Sequence, residues 1–281
     1  MSDQVIQDIP QGLRASVILL AFNQAPALRR ALTALEQSTA RENFEIVVVD
    51  CASTDGSASL DVEFPAINML RLPHHMGAAR ALNIAVRTAK TELLLFLSPD
   101  VEVQANTVTA LADALEAETD TVAACPLVNG ATHLYRLPDP ANVAQVPATP
   151  DLSVTNPVVE YATLDALMVR KSFIVAMNFF DQRYGHYWVD AELAMQIRRA
   201  GKKMRLYPAI QATYHSGPDP LEGESIAAAD RLLGAAEYAG KYGGGSFGMR
   251  MGAAFSALGR FDFGGFMSLV GGQKLDGSQA H

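Results

Sequence analysis

The chain has few of the residues that would announce a simple answer. It carries two cysteines, one tryptophan and 22 basic residues against 30 acidic ones in 281 positions. Cys51 and Cys125 give neither a disulfide framework nor zinc-ligand spacing, so reduced thiols in a cytosolic protein are expected. A net charge of -8 and a pI near 5.2 lack the basic footprint of a general nucleic-acid binder, although a local basic patch stays possible. No stretch reaches the about eighteen uninterrupted apolar residues of a membrane span. Met1 to Gly12 is polar and acidic, and lacks the positive-then-apolar order of a secretory signal. What is plentiful is apolar content, at 49%, enough for one large α/β domain or two small ones.

That apolar content falls into short blocks. Ser16 to Ala21, Glu45 to Val49 and Leu93 to Leu97 read as buried strands, and Asn68 to Leu72 as a shorter one. Ala27–Ser38, Ala78–Ala89 and about Ala105–Ala117 read as helices between them. Strands alternating with helices predict an α/β fold, with a mostly parallel, Rossmann-like sheet covered on both faces. Val122 to Val128 follows as a strand, and then Asn129 to Pro157 is a long, weakly periodic segment. Ala166–Val169 resumes order, Asp190–Ala200 is an amphipathic helix closed by Gly201, and Lys202–Ala209 is a last strand ending near Tyr214-His215. Two of the buried strands stop at acids, Val49 at Asp50 and the Leu97-Ser98-Pro99 run at Asp100. Ligands bind at the C-terminal edge of such sheets, so these carboxylates mark a ligand site.

The order of short motifs resembles family 2 glycosyltransferases of the GT-A fold. The likeness rests on Val17 to Asn23, Val47 to Ser57, His75 to Asn83, Leu95 to Asp100, Phe180 to Tyr184, Val189 to Leu193, Arg198 to Gly201, and Tyr214-His215. It covers roughly Ala15 to Gly217; no single motif is specific, but their order is. The resemblance implies a catalytic domain at 1–217, with a donor half at about 15–128 and an acceptor half at about 158–217. A helical, glycine-rich extension would occupy 218–281. It implies transfer of a sugar from a UDP- or dTDP-sugar, with inversion, to a glycan, lipid-linked or small acceptor, assisted by Mg2+ or Mn2+. Polysaccharide biosynthesis in the cytoplasm, or at the inner face of the membrane, would be the setting.

Asp50, at a strand end, can accept an N–H of the nucleotide base. Asp55, with Ser53 and Ser57, can take ribose hydroxyls or orient its own loop as an Asx-turn. Ala21, Phe22, Asn23, Gly77, Asn83 and Ser98 join the nucleotide-sugar side by resemblance. Asp100 is the expected metal ligand, a hard carboxylate shared with diphosphate oxygens, or alternatively a helix cap after Pro99. The resemblance adds His215 as a second ligand. Asp190 is the expected general base, or an ordinary N-cap, with Tyr187, Trp188 and Asp165 on the acceptor side. Arg198, Arg199, Lys202, Lys203 and Arg205 read as a solvated helix end, from which one could reach a phosphate.

Several positions depart from the family pattern. Ser98 replaces the first acid of an Asp-x-Asp pair, Val189 the acid before Asp190, His75 an Asn, Gln182 an acid, and Gln196 an Arg. These changes thin the shell that orients metal and base. They leave open a second reading: a catalytically impaired GT-A protein that binds a sugar nucleotide or serves a glycan-assembly complex. A nucleotidyltransferase fits less well, because Ala21-Phe22-Asn23-Gln24-Ala25-Pro26 is no glycine-rich phosphate loop. Phe247, Phe255, Phe261, Phe263 and Phe266, with Lys241, Arg250, Arg260 and Lys274, could form a peripheral membrane surface, or pack on the domain or on another copy.

Overall fold

A computed structural model describes residues 12–132, 134–141, 143, 147–217, 221 and 225–243. The first half holds β1 (Ala15–Ala21), α1 (Ala25–Glu36), β2 (Phe44–Asp50), β3 (Asn68–Arg71), α2 (Gly77–Thr88), β4 (Leu93–Leu97), β5 (Val101–Val103) and α3 (Thr107–Glu116). The second holds β6 (Thr121–Asn129), β7 (Val158–Val159), β8 (Ala166–Arg170), α4 (Lys171–Ala176), α5 (Val189–Arg199), β9 (Lys203–Tyr214) and α6 (Ser225–Gly243).

The central strands are continuous apolar runs because both faces of the sheet are covered. Ile18, Val47, Val49 and Phe96 face a core that includes Leu82 and Ala85 of α2 and Leu193 and Ile197 of α5. Their strand neighbours Val17, Leu19, Val48 and Leu95 face the opposite core, with Leu28 and Leu32 of α1 and Leu111 of α3. Alternate residues of one strand thus serve two cores, as the period of two requires. Each fully buried Leu or Val contributes about 1.5–3 kcal/mol.

The sheet runs β3-β2-β1-β4-β8-β6-β9-β5, with β7 on β9. The β3-β2-β1-β4 part is parallel, as expected. The rest is mixed: β8 runs antiparallel to β4 and β6, and β5 and β7 run antiparallel to β9. Strand order reverses at β1, so β2 and β4 flank it and open a crevice at their shared C-terminal edge. Ala21 lies opposite Asp50 there, and Asp100 follows β4 by three residues.

β9 is longer than its sequence pattern implied. Its pairing with β6 jumps from Tyr207 opposite Pro126 to Gln211 opposite Leu127. Pro208 lies in this bulge, where a missing backbone N–H costs no ladder bond. Beyond the bulge, β9 pairs with β5, which sets Tyr214 opposite Val101 and lets the His215 amide donate to the Asp100 carbonyl at 2.8 Å.

α6 lies past the expected domain boundary at 217, yet it packs into the same body. Tyr238 is fully buried in the core that holds Leu193, and its hydroxyl donates to the Pro138 carbonyl at 3.1 Å. No helix among the described residues is long and apolar enough to cross a membrane. The phenylalanine-rich segment from Phe247 onward, with Arg250, Arg260 and Lys274, lies outside the described residues, whereas Lys241 is in α6 and pairs with Asp181 and Glu192.

Candidate active site

A cavity of about 670 Å³ opens at the crevice and is lined by Ala21, Phe22, Ser98, Asp100, Tyr187 and Asp190, among others. Its size suits a ligand of a few rings.

On the donor side, the loops after β1 and β2 are sewn to each other. Asn23 sits at φ 52; its Oδ1 accepts from the Thr54 amide at 2.7 Å, and its own amide donates to Ser53 Oγ at 2.9 Å. Asp55 accepts from the Ser57 and Ala25 amides, each at 2.9 Å. Burial opposes its ionisation, but these hydrogen bonds outweigh it and hold its pKa below the usual value. The Asx-turn alternative for Asp55 is therefore what the geometry displays, since both carboxylate oxygens serve the loop. Asp50 differs. It is 2% exposed; Oδ2 accepts from the Ser53 amide at 3.2 Å, while Oδ1 is buried with no hydrogen-bond partner among the described residues. Buried acceptors are normally paired, so Oδ1 has capacity for one more hydrogen bond, although Asp50 itself does not line the cavity and its neighbour Cys51 does.

Gly77 opens α2 at φ 75, and its amide donates to His75 Nδ1 at 3.1 Å. An accepting Nδ1 puts the proton of the neutral ring on Nε2. Burial lowers the His75 pKa and favours that neutral ring, which meets Phe22 edge-on at 4.8 Å. Asn83 requires a correction. Its carboxamide donates to the Phe180 carbonyl and accepts from the Phe180 amide, both at 2.9 Å, and it is 1% exposed. It lines a second cavity, with Arg87, Phe180 and Glu192, instead of the donor crevice, and clasps α2 to the 180 loop.

Ser98 is a turn residue. Its Oγ accepts from the Asp100 amide at 3.2 Å, and its amide donates to the Asp165 carbonyl at 2.9 Å. This turn aims Asp100 at the cavity, where Gln24 Nε2 donates to Oδ2 at 3.2 Å. Gly217 leaves room beside it: a Cβ there would lie 3.3 Å from Asp100 Oδ1. His215 is paired with Asp100 through the backbone, but its Nε2 contacts Glu102 Oε2 at 2.7 Å. Among the described residues no group of three or more His, Cys, Asp or Glu side chains is arranged to cage a metal ion. Asp100 lines the cavity but His215 does not, its ring being held by Glu102, so of the two expected ligands only the Asp100 carboxylate is presented there, which fits a cation carried mainly by ligand phosphates and water.

On the acceptor side, Trp188 caps α5 from a left-handed backbone, φ 71, so Asp190 lies inside the first turn rather than at the cap. Asp190 Oδ1 accepts from the Ala191 amide at 2.8 Å and Oδ2 from the Tyr161 hydroxyl at 2.5 Å. Burial raises the Asp190 pKa, and the charge of Asp165 adds to the rise; the hydrogen bond from Tyr161 opposes it. The lowering expected from a helix N-terminus is thus overridden by burial. Asp165 is itself raised by burial, with Thr163 Oγ1 donating to it at 2.7 Å. Tyr187 and Trp188 both line the cavity.

Of the basic cluster, Lys203 pairs with Asp120, Arg205 with Glu118 at 2.7 Å, and Arg199 stacks over Tyr242; none lines the cavity. The arginine that does is Arg231 of α6. Sequence reasoning missed it, along with Gln24, His75 and Tyr161 as cavity residues. Gln24 could have been found as the next residue after the Phe22-Asn23 loop, whereas Tyr161 and Arg231 carry no local signal.

The family model described as glycosyl transferase family 2 matches residues 16–175. An uncharacterized glycosyltransferase, YfnE, of Bacillus subtilis (strain 168) is 34% identical over 93 residues, 32% of this chain and 24% of that protein. An uncharacterized glycosyltransferase of Haemophilus influenzae (strain ATCC 51907 / DSM 11121 / KW20 / Rd) is 33% identical over 86 residues, 30% of this chain and 29% of that protein. The matches thus span less than a third of these relatives. GalNAc-T7, solved with UDP, GalNAc and Mn2+, superposes with a TM-score of 0.66 at 16% identity, over 82% of this chain and 48% of that one. The mannosyltransferase PcManGT of Pyrobaculum calidifontis, solved with GDP-Man and Mn2+, gives 0.58 at 18% identity, over 92% and 79%. S. aureus TarS 1-349 gives 0.61 at 17% identity, over 92% and 81%. At these identities the structural likeness is one of fold, while the family match runs over more than half of the chain: the protein belongs to glycosyl transferase family 2 and has the GT-A fold.

Proposed function

We propose that the chain is an inverting, metal-assisted glycosyltransferase that moves a sugar from a UDP- or dTDP-sugar to a hydroxyl of a glycan, lipid-linked or small acceptor. Polysaccharide biosynthesis on the cytoplasmic side, with contact at the inner face of the membrane, is its setting. The observation that carries this reading is Asp190, a carboxylate of raised pKa held by Tyr161 on the wall of the same cavity that Asp100 enters. A general base works best when its pKa approaches the working pH, and burial moves Asp190 in that direction. The acceptor oxygen forms its bond to the anomeric carbon as the bond from that carbon to the diphosphate oxygen breaks, and Asp190 takes the hydroxyl proton. One displacement inverts the anomeric centre.

Asp50 Oδ1, the orphan acceptor, suits the imide N–H of uracil or thymine. Asp100, with His215 turned from Glu102, would hold the cation, which offsets charge on the departing diphosphate when bound. The nucleotides and Mn2+ named with GalNAc-T7 and PcManGT support this class of donor and cofactor. The test is nucleoside diphosphate release from a panel of nucleotide sugars, with and without Mn2+ or Mg2+. Asp100→Ala and Asp190→Asn are each expected to lower it by about 100-fold or more. Unchanged release in both variants overturns the proposal. Calorimetric binding of nucleotide without turnover on any donor–acceptor pair would favour the impaired, binding-only reading instead.

A further inference from the structure

The residues that set the loop before Asp190 do not all come from the region matched by the family. α6 lies beyond residue 175, yet its Asp230 is 0% exposed beneath the loop 185–188. Asp230 Oδ2 accepts from the His186 amide at 2.8 Å and from the Tyr187 amide at 3.2 Å. The fit is close: a Cβ on Gly185 would lie 1.9 Å from Asp230 Oδ1. The next residue of α6, Arg231, accepts from Trp188 Nε1 through its carbonyl at 3.0 Å and holds its guanidinium 4.3 Å from the centre of the Tyr187 ring. Gly234, one turn on, lies so near Trp188 that a Cβ would come within 2.9 Å of the ring. The other side of the loop is tied to α2, where the Ala79 amide donates to the Gly185 carbonyl at 3.1 Å.

We infer that Asp230 is a positioning residue of the acceptor side. Its buried carboxylate gathers two loop amides, and so sets Tyr187 and Trp188 as a cavity wall and fixes the left-handed turn at Trp188 from which α5 presents Asp190. A carboxylate accepting two amides is a charge-assisted anchor, stronger than a neutral one. α6 is by this account part of the active site rather than an appendage. The inference rests on the reading of Asp190 as base for its kinetic consequence, but not for its structural one.

Trp188 is the sole tryptophan of the chain, so tryptophan emission, excited beyond the absorption of the tyrosines, reports this loop alone. The experiment compares wild type, Asp230→Ala, Asp230→Asn and Gly185→Ala. Each is measured by tryptophan emission, acrylamide quenching, thermal unfolding and nucleoside diphosphate release. Asp230→Ala and Gly185→Ala are expected to red-shift the emission, raise quenching, and lower kcat by about 100-fold, the cost of a small misplacement, with donor KM unchanged. Asp230→Asn keeps one oxygen for the two amides and should return emission and most of kcat toward wild type. A folded Asp230→Ala or Gly185→Ala with wild-type emission and kcat overturns the inference. So does loss of the cooperative unfolding transition in both variants, since the carboxylate would then hold the fold and not the loop. A wild-type protein without turnover would sink the functional proposal, while the fluorescence still decides the role of Asp230.

Discussion

Removing the charge of Lys241 tests how firmly α6 belongs to the catalytic body. Glu192 of α5 is 1% exposed, and Lys241 Nζ of α6 reaches its Oε1 at 2.6 Å. The same carboxylate accepts from the Tyr184 hydroxyl at 3.0 Å, the Gln196 amide at 2.8 Å and the Tyr242 hydroxyl at 2.8 Å. Lys241→Met keeps the aliphatic stem but leaves a buried carboxylate facing three neutral donors. Breaking a buried pair from one side costs about 3–5 kcal/mol. The three remaining hydrogen bonds and the 22% exposure of the lysine side chain reduce this, to about 2–3 kcal/mol. At about 2–4 °C per kcal/mol for a chain of this size, Tm should fall by roughly 5–10 °C. Glu192→Gln in the same background removes the stranded charge, so the double variant should recover about 1.5 kcal/mol relative to the sum of the single changes. Urea unfolding of the four proteins at neutral pH measures both quantities. A loss below about 0.5 kcal/mol for Lys241→Met, or a coupling within error of zero, would refute the view that this pair anchors α6.

Asp190→Asn should separate stability from activity. The folded pKa of Asp190 is raised, so the stability it contributes is fully present below the unfolded carboxylate pKa and is lost as pH rises through the folded value. The variant, neutral throughout, should therefore melt above wild type at pH 8 and lose that advantage near pH 3, as calorimetry across pH would show. Asp55→Ala should cost about 0.5–1 kcal/mol, because its carboxylate caps two amides but is exposed. The Asp55 pKa is lowered, so its contribution is present above the usual carboxylate pKa and fades as pH falls; equal urea midpoints for variant and wild type at pH 7 would count against it.

The parts of the fold legible in the sequence are those whose burial is local and complete. β1, β2 and β4 are continuous apolar runs because each packs on both faces, and their terminal acids follow from where the runs stop. β5 and β7 have three and two residues, too few to show a period. The antiparallel entry of β8 between β4 and β6 has no sequence signature, since a five-residue buried strand looks alike in either direction. Asn83, assigned to the nucleotide-sugar side by resemblance, meets Phe180 instead, and a local pattern does not say which neighbour a polar side chain meets. Asp190 reads as a cap because a tryptophan at positive φ is rare; tertiary contacts to α6 hold Trp188 there. Asp230 lies some forty residues from its partners, beyond the reach of any local pattern.

The departures from the family pattern look different once the side chains are in place. Val189 stands where an acid is usual, but it is 3% exposed and packs in the core with Leu193, so an acid there would be buried. A second carboxylate still acts on Asp190, because Asp165 reaches the same wall from β8's approach and raises its pKa. Burial and the like charge of Asp165 raise the Asp190 pKa, while the Tyr161 hydroxyl orients the carboxylate and opposes that rise. Ser98, in turn, accepts from the Asp100 amide through its hydroxyl and shapes the turn that presents Asp100. Under the proposed function the protein then offers the cation one carboxylate, Asp100, until His215 turns from Glu102. Affinity for a free divalent cation should be weak, and should rise when a nucleotide diphosphate brings its own oxygens. Calorimetry with Mn2+ alone, and then with UDP present, checks this: tight binding of Mn2+ in the absence of nucleotide would contradict a site of so few protein ligands.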